Sequence, residues 1–229
     1  AINNGASAIT STGVGSFGSL DISGDIDVDG TTNLDVVDID GAVDMATTLN
    51  VTGALTVGTQ ISSINTGGDA HVQIKGNTRD FKIEQNNYGL RIVDNDASSE
   101  RFRIDASGAV TMPLQPAFLA IPSSSQSNFA VGSNVTVVFD TEIFDQNADF
   151  ASNTFTAPVN GRYQLQTSIR VQTLDAAAAY YFILIKTSNR QYINILDPDF
   201  GQDNSYFTFT QAVLADMDAN DTAYIAIYQ

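Results

Sequence analysis

Apolar and polar residues alternate over much of this chain, and the alternation changes character twice. Between residues 16 and 58 it runs in a short unit that occurs three times. The first copy is Leu20-Asp-Ile22-Ser-Gly24-Asp-Ile26-Asp-Val28 and the second is Val37-Asp-Ile39-Asp-Gly41-Ala-Val43-Asp-Met45. The third is Leu49-Asn-Val51-Thr-Gly53-Ala-Leu55-Thr-Val57. A period of two predicts half-buried strands, and the central glycine marks a turn or bulge. One copy cannot hold itself together. Each buried apolar side chain returns roughly 1.5–3 kcal/mol, whereas each ordered backbone residue costs about 1–2 kcal/mol. The repeats are therefore expected to stack on one another or on other chains, and three chains wound into a β-fibre shaft fit that need. Residues 1–15 are small and polar and read as a loop.

From 59 to 112 the pattern becomes a run of short hairpins. Phe81 and Ile83 flank Lys82, Asn86-Asn87-Tyr88-Gly89 reads as a turn, and Leu90 and Ile92 form the return strand. Residues 94–99 make a second turn before Phe102 and Ile104, and Ser107-Gly108 a third before Val110 and Met112. Pro113, Pro116 and Pro122 then mark a neck where strand pairing should lapse.

Residues 113–229 read as an all-β head. Strands are expected at 117–121, 135–139, 153–157, 161–173, 179–187, 190–196, 204–215 and 222–228. The nearly continuous apolar run from Tyr180 to Lys186 predicts a central strand covered on both faces. Aromatic residues recur at Phe139, Phe144, Phe150, Phe155 and Tyr163, which aims large side chains at one core.

The spacing of Phe139, Asp145, Phe150, Phe155, Gly161 and Tyr163, with Phe155-Thr-Ala-Pro158 before Gly161-Arg-Tyr163, resembles the motif of the C1q-like globular head. Two features depart from it. The gap between Phe150 and Phe155 is short, and Leu165 and Thr167 replace aromatics. The resemblance covers the chain from Ala117 onward and implies a ten-stranded jelly roll of the tumour necrosis factor type, assembled as a homotrimer. It implies no ligand. In that family one more strand follows the one matching Asp221–Gln229 and closes the jelly roll, so an unpaired edge is expected in the head, with either a truncated sequence or a natural chain that differs from the family at this point.

The shaft repeats resemble those of bacteriophage tail fibres. The stretch from Gly89 through Asn95 and Arg101 to Asp105 and Gly108 is similar to a segment found just before the distal parts of such fibres.

Charge sharpens this division. The net charge is −16, and residues 1–74 contain no Lys or Arg. Six basic residues, Lys75, Arg79, Lys82, Arg91, Arg101 and Arg103, are gathered in the hairpin section. They could meet an anionic glycan, but Glu84, Asp94, Glu100 and Asp105 lie among them and cross-strand pairing accounts for them. So acidic a chain excludes nucleic acid as a partner. No apolar run is long enough to suggest a membrane helix, so no membrane insertion is expected. Without cysteine, no disulfide or thiolate metal site exists.

Candidate chemistry is sparse. Asp25-Ile-Asp27-Val-Asp29-Gly30 opens like a calcium loop, but Val36 stands where a bidentate Glu is needed, so the aspartates read as a solvated face. In the head, Asp197, Asp199 and Asp203 are candidate ligands for Ca2+ in a loop of ordinary turn formers. His71, the lone histidine, reads as a surface residue. No nucleophile or phosphate-loop motif is present, and no enzyme is expected. Arg190, Tyr192, Asp199, Asp203 and Asn204 are the candidate receptor contacts, chosen by loop position.

These observations favour a structural and adhesive phage tail-fibre protein, located in the virion. Its trimeric tip would bind a host-surface glycan or protein, and its shaft would join other tail proteins. A bacterial extracellular or cell-surface filament with the same head is the alternative, and a polysaccharide depolymerase a more distant one. Like charges along a shaft repel over roughly 8 Å at physiological ionic strength. The melting temperature should therefore rise with salt or divalent cations, and a melt indifferent to both would remove the charge argument.

Overall fold

The computed structural model describes residues 23, 25, 26, 28, 31, 32, 34–65 and 67–229. The loop expected at 1–15 and part of the first repeat lie outside the described residues. The chain divides into two compact units, Ala1–Thr59 and Gln60–Gln229. The described residues contain strands and turns but no helix.

In the first unit, the described residues carry no strand pairing within the chain. The strands expected from the repeats are therefore not made by one copy acting alone. The alternating side chains stay in water: Val37 is 57% exposed, Val43 62% and Leu55 61%. The physical reason is the one the pattern anticipates, since so short a unit has no second layer of its own.

The second unit opens with a five-stranded antiparallel meander. Its strands are β1 (Ala70–Lys75), β2 (Asp80–Asn86), β3 (Gly89–Asp94), β4 (Ser99–Asp105) and β5 (Val110–Thr111). The β2–β3 turn needs its glycine. Gly89 has φ +125°, and a Cβ there would lie 2.0 Å from the Ile104 carbonyl oxygen. One face of this sheet is apolar through the aligned partners Val72, Ile83 and Ile92. Ile74, Val72 and Ile83 on that face are 60%, 50% and 40% exposed.

The head follows, with β6 (Ala117–Ile121), β7 (Val135–Thr136), β8 (Thr141–Gln146), β9 (Phe150–Ala151) and β10 (Thr154–Thr156). The remaining strands are β11 (Gly161–Leu174), β12 (Tyr181–Thr187), β13 (Gln191–Leu196), β14 (Asn204–Met217) and β15 (Thr222–Tyr228). The neck is shorter than 113–122, because Pro116 and Pro122 flank β6 instead of interrupting it. The Gln146 side-chain amide ties the neck down, donating to the carbonyls of Met112, Pro113 and Gln115 at 3.0, 2.9 and 2.7 Å.

One layer has the order β13-β12-β15-β10-β9, with β7 also on β15. Facing it are two antiparallel pairs, β11–β14 and β6–β8. The result is a jelly-roll-like sandwich. Its core joins Phe150, Phe155, Ile185 and Ala223 of the first layer to Leu165, Ala215 and Met217 of the second. Phe118 stacks on both Phe150 and Phe155 at 4.7 and 5.3 Å between centroids.

Each residue of the head motif has a mechanical role. Asp145 accepts hydrogen bonds from the Asp149 and Phe150 amides, closing a turn in which Asn147 and Ala148 both have positive φ. The Tyr163 hydroxyl donates to the Val159 carbonyl at 2.6 Å and so clamps the Pro158–Gly161 turn. Phe144 departs from the expectation. It is aligned with Leu119 on the outside of the β6–β8 pair, and the two are 51% and 47% exposed.

β15 has neighbours on both sides, β12 on one and β10 with β7 on the other. Unpaired edges are found on both members of the β6–β8 and β11–β14 pairs and on β13 and β9 at the ends of the other layer. One further expectation changes. The central strand β12 is buried through Ile183, Leu184 and Ile185, but Phe182 and Lys186 on its outer face are only half-buried. Replacing Phe155, which is 2% exposed between both layers, with Ala should cost about 3–5 kcal/mol in a denaturant titration. A loss below 1 kcal/mol would mean that the two layers do not share this core.

Candidate functional site

The long strands run the length of the head and sort its loops into two ends. At the neck end lie the turns after Thr156, after Thr187 and after Met217. At the far end lie the loops 122–134, 175–180 and 197–203, together with Gln229. The five candidate receptor residues divide between these ends. Arg190 and Tyr192 stand at the neck end. Asp199, Asp203 and Asn204 stand at the far end, roughly 20 Å of strand away at ~3.3 Å per residue.

At the neck end, Arg190 is engaged in holding the fold. Its Nε and Nη2 make a bidentate pair with Asp216 at 3.0 and 2.6 Å. That pair raises the guanidinium and lowers the carboxyl from their ordinary values. Tyr192 packs against the core. Around them Asn189 donates to Asp221, and Asn160 accepts from the Ala219 amide. Loop position in the sequence could not tell this end from the other, because that depends on the direction in which each strand crosses the sandwich.

At the far end the acidic loop is a turn and not a cage. Pro198 is fully buried and Gly201 has φ +75°. The Asp203 carboxylate accepts from the Ala176 amide at 3.0 Å. Asp197, Asp199 and Asp203 do not converge, and among the described residues no three acidic or histidine side chains come together as metal ligands. The buried proline anchors this loop, so its carboxylates stand apart.

The far end carries a feature that the sequence reading passed over. Tyr180, Phe182 and Tyr228 form a ladder of nearly parallel rings on the outer face of β12 and β15. The Phe182 and Tyr228 centroids are 4.6 Å apart at 4°, and Tyr180 lies 5.6 Å from Tyr228 at 10°. Tyr180 holds the Tyr228 phenol above its ordinary value. The face continues through exposed Ile195 and Ile193, aligned with Phe182 and Leu184 on β12. Lys186 sits 5.7 Å from the Tyr224 ring further along it. Such a surface offers π faces with hydroxyl edges, which suit the C–H face of a sugar or the apolar parts of a protein. Its signal in the sequence is the even spacing of Tyr180 and Phe182, and of Tyr224 and Tyr228, which puts each pair on one side of a strand.

The basic cluster at 75–103 is internally paired. Lys75 meets Asp80, Arg79 and Arg101 meet Asp94, Lys82 and Arg91 meet Glu84, and Arg103 meets Glu100. Glu84 and Asp94 are each 1% exposed beneath these cations. All six basic residues serve the sheet, as cross-strand pairing requires. His71 is exposed on β1, and its carbonyl accepts from the Ser63 hydroxyl at 3.2 Å. In the calcium-like stretch, residues 27, 29 and 30 lie outside the described residues.

No protein-family model and no curated protein matches the chain. Among solved structures, the globular domain of zebrafish complement 1qA protein is similar at 18% identity, over 50% of this chain and 80% of that one, with a TM-score of 0.39. So low a score does not by itself establish a shared fold.

The ion pairs make the hairpin sheet sensitive to acid. Burial alone would raise the Glu84 carboxyl, but its bonds to Lys82 and Arg91 outweigh this and bring it below its ordinary 4.5. The bond from Arg101 lowers Asp94 below 3.8. A depressed folded-state value contributes stability above the unfolded value and loses it as pH falls through the folded one. Amide protection of residues 80–105 should therefore weaken below about pH 4. Glu84→Gln should cost on the order of 2 kcal/mol at neutral pH and flatten part of that dependence. Protection unchanged down to pH 2.5 would mean that the pairs contribute nothing.

Proposed function

We propose that this chain is the distal part of a bacteriophage tail fibre, a trimeric structural and adhesive protein of the virion with a C1q-like tip. The observation that carries the reading is the amount of ordered, alternating apolar surface left in water by one copy. Ile61 and Ile64 are 71% and 80% exposed beyond the three repeats. The apolar face of the β1–β5 sheet is likewise bare, while its six basic residues are all paired with carboxylates of the same sheet. Surface of this kind calls for further copies of the chain, and three strands around an axis cover an apolar edge on each.

The head motif supports the tip assignment, because Asp145, Phe150, Phe155, Gly161 and Tyr163 each perform a fold-defining task at the positions the C1q-like pattern gives them. Adhesion falls to the far end, and the Tyr180–Phe182–Tyr228 ladder is the contact surface for a host-cell glycan or surface protein. Three ladders on one particle would turn weak single contacts into useful avidity.

Light scattering on residues 1–229 should give a particle of about 73 kDa, three times the 24.4 kDa chain. Ile74→Asp, on the bare sheet face, should shift the mass toward the monomer. Tyr180→Ala should leave the mass alone and lower binding to bacterial surface polysaccharides at least tenfold. A stable 24 kDa particle for the unmodified chain would sink the fibre reading.

A further inference from the structure

The outer face of the layer built on β13, β12 and β15 extends beyond the aromatic ladder, and alternation defines its members. Ile183 and Ile185 of β12, Ala223 and Ile225 of β15, and Tyr192 and Leu196 of β13 point into the sandwich. The residues between them point out. Register then sets the outward residues in rows that cross the strands. Phe182 is aligned with Ile195 on one side and Tyr228 on the other, and Lys186 with Gln191 and Tyr224. Between these rows Leu184 and Ala226 are aligned and buried, so the floor between the rows is filled.

Three properties of this face define what it can bind. First, it is free of carboxylates. The chain has 26 aspartate and glutamate residues, yet none stands at an outward position of β13, β12, β15 or β10. Second, the one cation at those positions is Lys186. Among the described residues it belongs to no ion pair, and its ammonium lies 5.7 Å from the Tyr224 ring centre. Its charge is therefore left for a ligand. Third, hydroxyls edge the rings. Tyr224 and Tyr228 bring phenols, and Thr136 and Thr154 are aligned with Ala226 and Tyr224. Rings beside hydroxyls match a surface that itself alternates C–H and O–H groups, which is that of a sugar chain. A protein partner calls for a charge-depleted centre, whereas here the cation stands among the aromatic residues.

The cation also selects the acid. An ammonium is a compact point charge that balances one carboxylate. Bidentate phosphate recognition calls for arginine, and no outward position of these strands is arginine. The Phe182–Tyr228 and Lys186–Tyr224 pairs are four residues apart on both strands, roughly 13 Å at ~3.3 Å per residue. An occupant that uses both pairs is longer than a single sugar ring.

We propose that this face is a binding site for an acidic oligosaccharide, a sugar chain carrying carboxylates of the uronic or sialic acid kind. Its sugar rings stack on Tyr180, Phe182 and Tyr228, and a carboxylate further along it pairs with Lys186. The inference rests on the reading of the ladder as a glycan contact and narrows that reading to one ligand class.

The test uses oligosaccharides of polygalacturonate, alginate and polysialic acid, each beside its carboxyl-reduced form. They are titrated into residues 1–229 by calorimetry in buffer free of divalent cations. At least one acidic oligosaccharide should bind at least tenfold tighter than its reduced form. Bulk attraction cannot produce that preference, since the chain has a net charge of −16. Lys186→Met keeps an apolar stem on the face and removes the charge. It should bring the acidic form to within threefold of the reduced one. Tyr180→Ala should weaken both forms at least tenfold. Equal binding of acidic and reduced forms, both weakened by Tyr180→Ala, would overturn the acidic assignment and leave the ladder reading standing. So would a preference for the acid that survives Lys186→Met. Binding of neither form, or binding indifferent to Tyr180→Ala, would remove the ladder reading and this inference together. Adhesion to bacterial cells that is abolished by protease treatment of those cells would mark a surface protein as the ligand and overturn the inference.

Discussion

A β-strand cannot complete its own bonding, and this constraint governs the whole chain. Each strand presents two edges of amides and carbonyls and two faces of side chains, and each needs a neighbour. Where the chain supplies the neighbours, as around β12 and β15, the structure is buried and closed. Where it does not, as in the repeats before residue 59, the same alternation leaves valine and isoleucine in water. The β1–β5 sheet is intermediate. Its basic residues are paired internally, but β1 and β5 leave its outer edges unpaired and one apolar face is bare.

The same constraint explains the division of labour in the head. In one layer β12 and β15 are both paired on two sides, and the outer surface of these strands carries the aromatic ladder. The opposite layer is split into two pairs, and its exposed edges border an apolar groove. Rigid support on one side and unfinished pairing on the other are consequences of a single topology. Charge follows it too. Carboxylates crowd the outside of the chain, ion pairs fill the hairpin sheet, and only two arginines line the groove.

Much of the head was legible from its residues. The strands at 117–121, 161–173, 190–196, 204–215 and 222–228 stand close to their expected bounds, because period-two alternation between turn residues is a local property. The short strands β8 and β9 escaped notice, since Asp145, Asn147 and Asp149 look like turn formers while two of them in fact brace a tight corner. The candidate site was less legible. Asp197, Asp199 and Asp203 suggested a cation site from proximity in the chain, but a buried proline holds the loop open. Arg190 was assigned to the tip, although β12 returns toward the neck before its turn and places Arg190 against Asp216.

The sequence by itself determined most of the head's strands, the hairpin turns before it, and that the basic cluster would be consumed by its acidic neighbours. These depend on alternation, backbone preference and charge, all of which act between residues near in the chain. Only the tertiary structure decided which loops share an end and which rings stack. It also decided which strands keep an unpaired edge, β6 and β11 among them. Those outcomes depend on the order of strands in each layer, and pairing partners far apart in sequence leave no local trace.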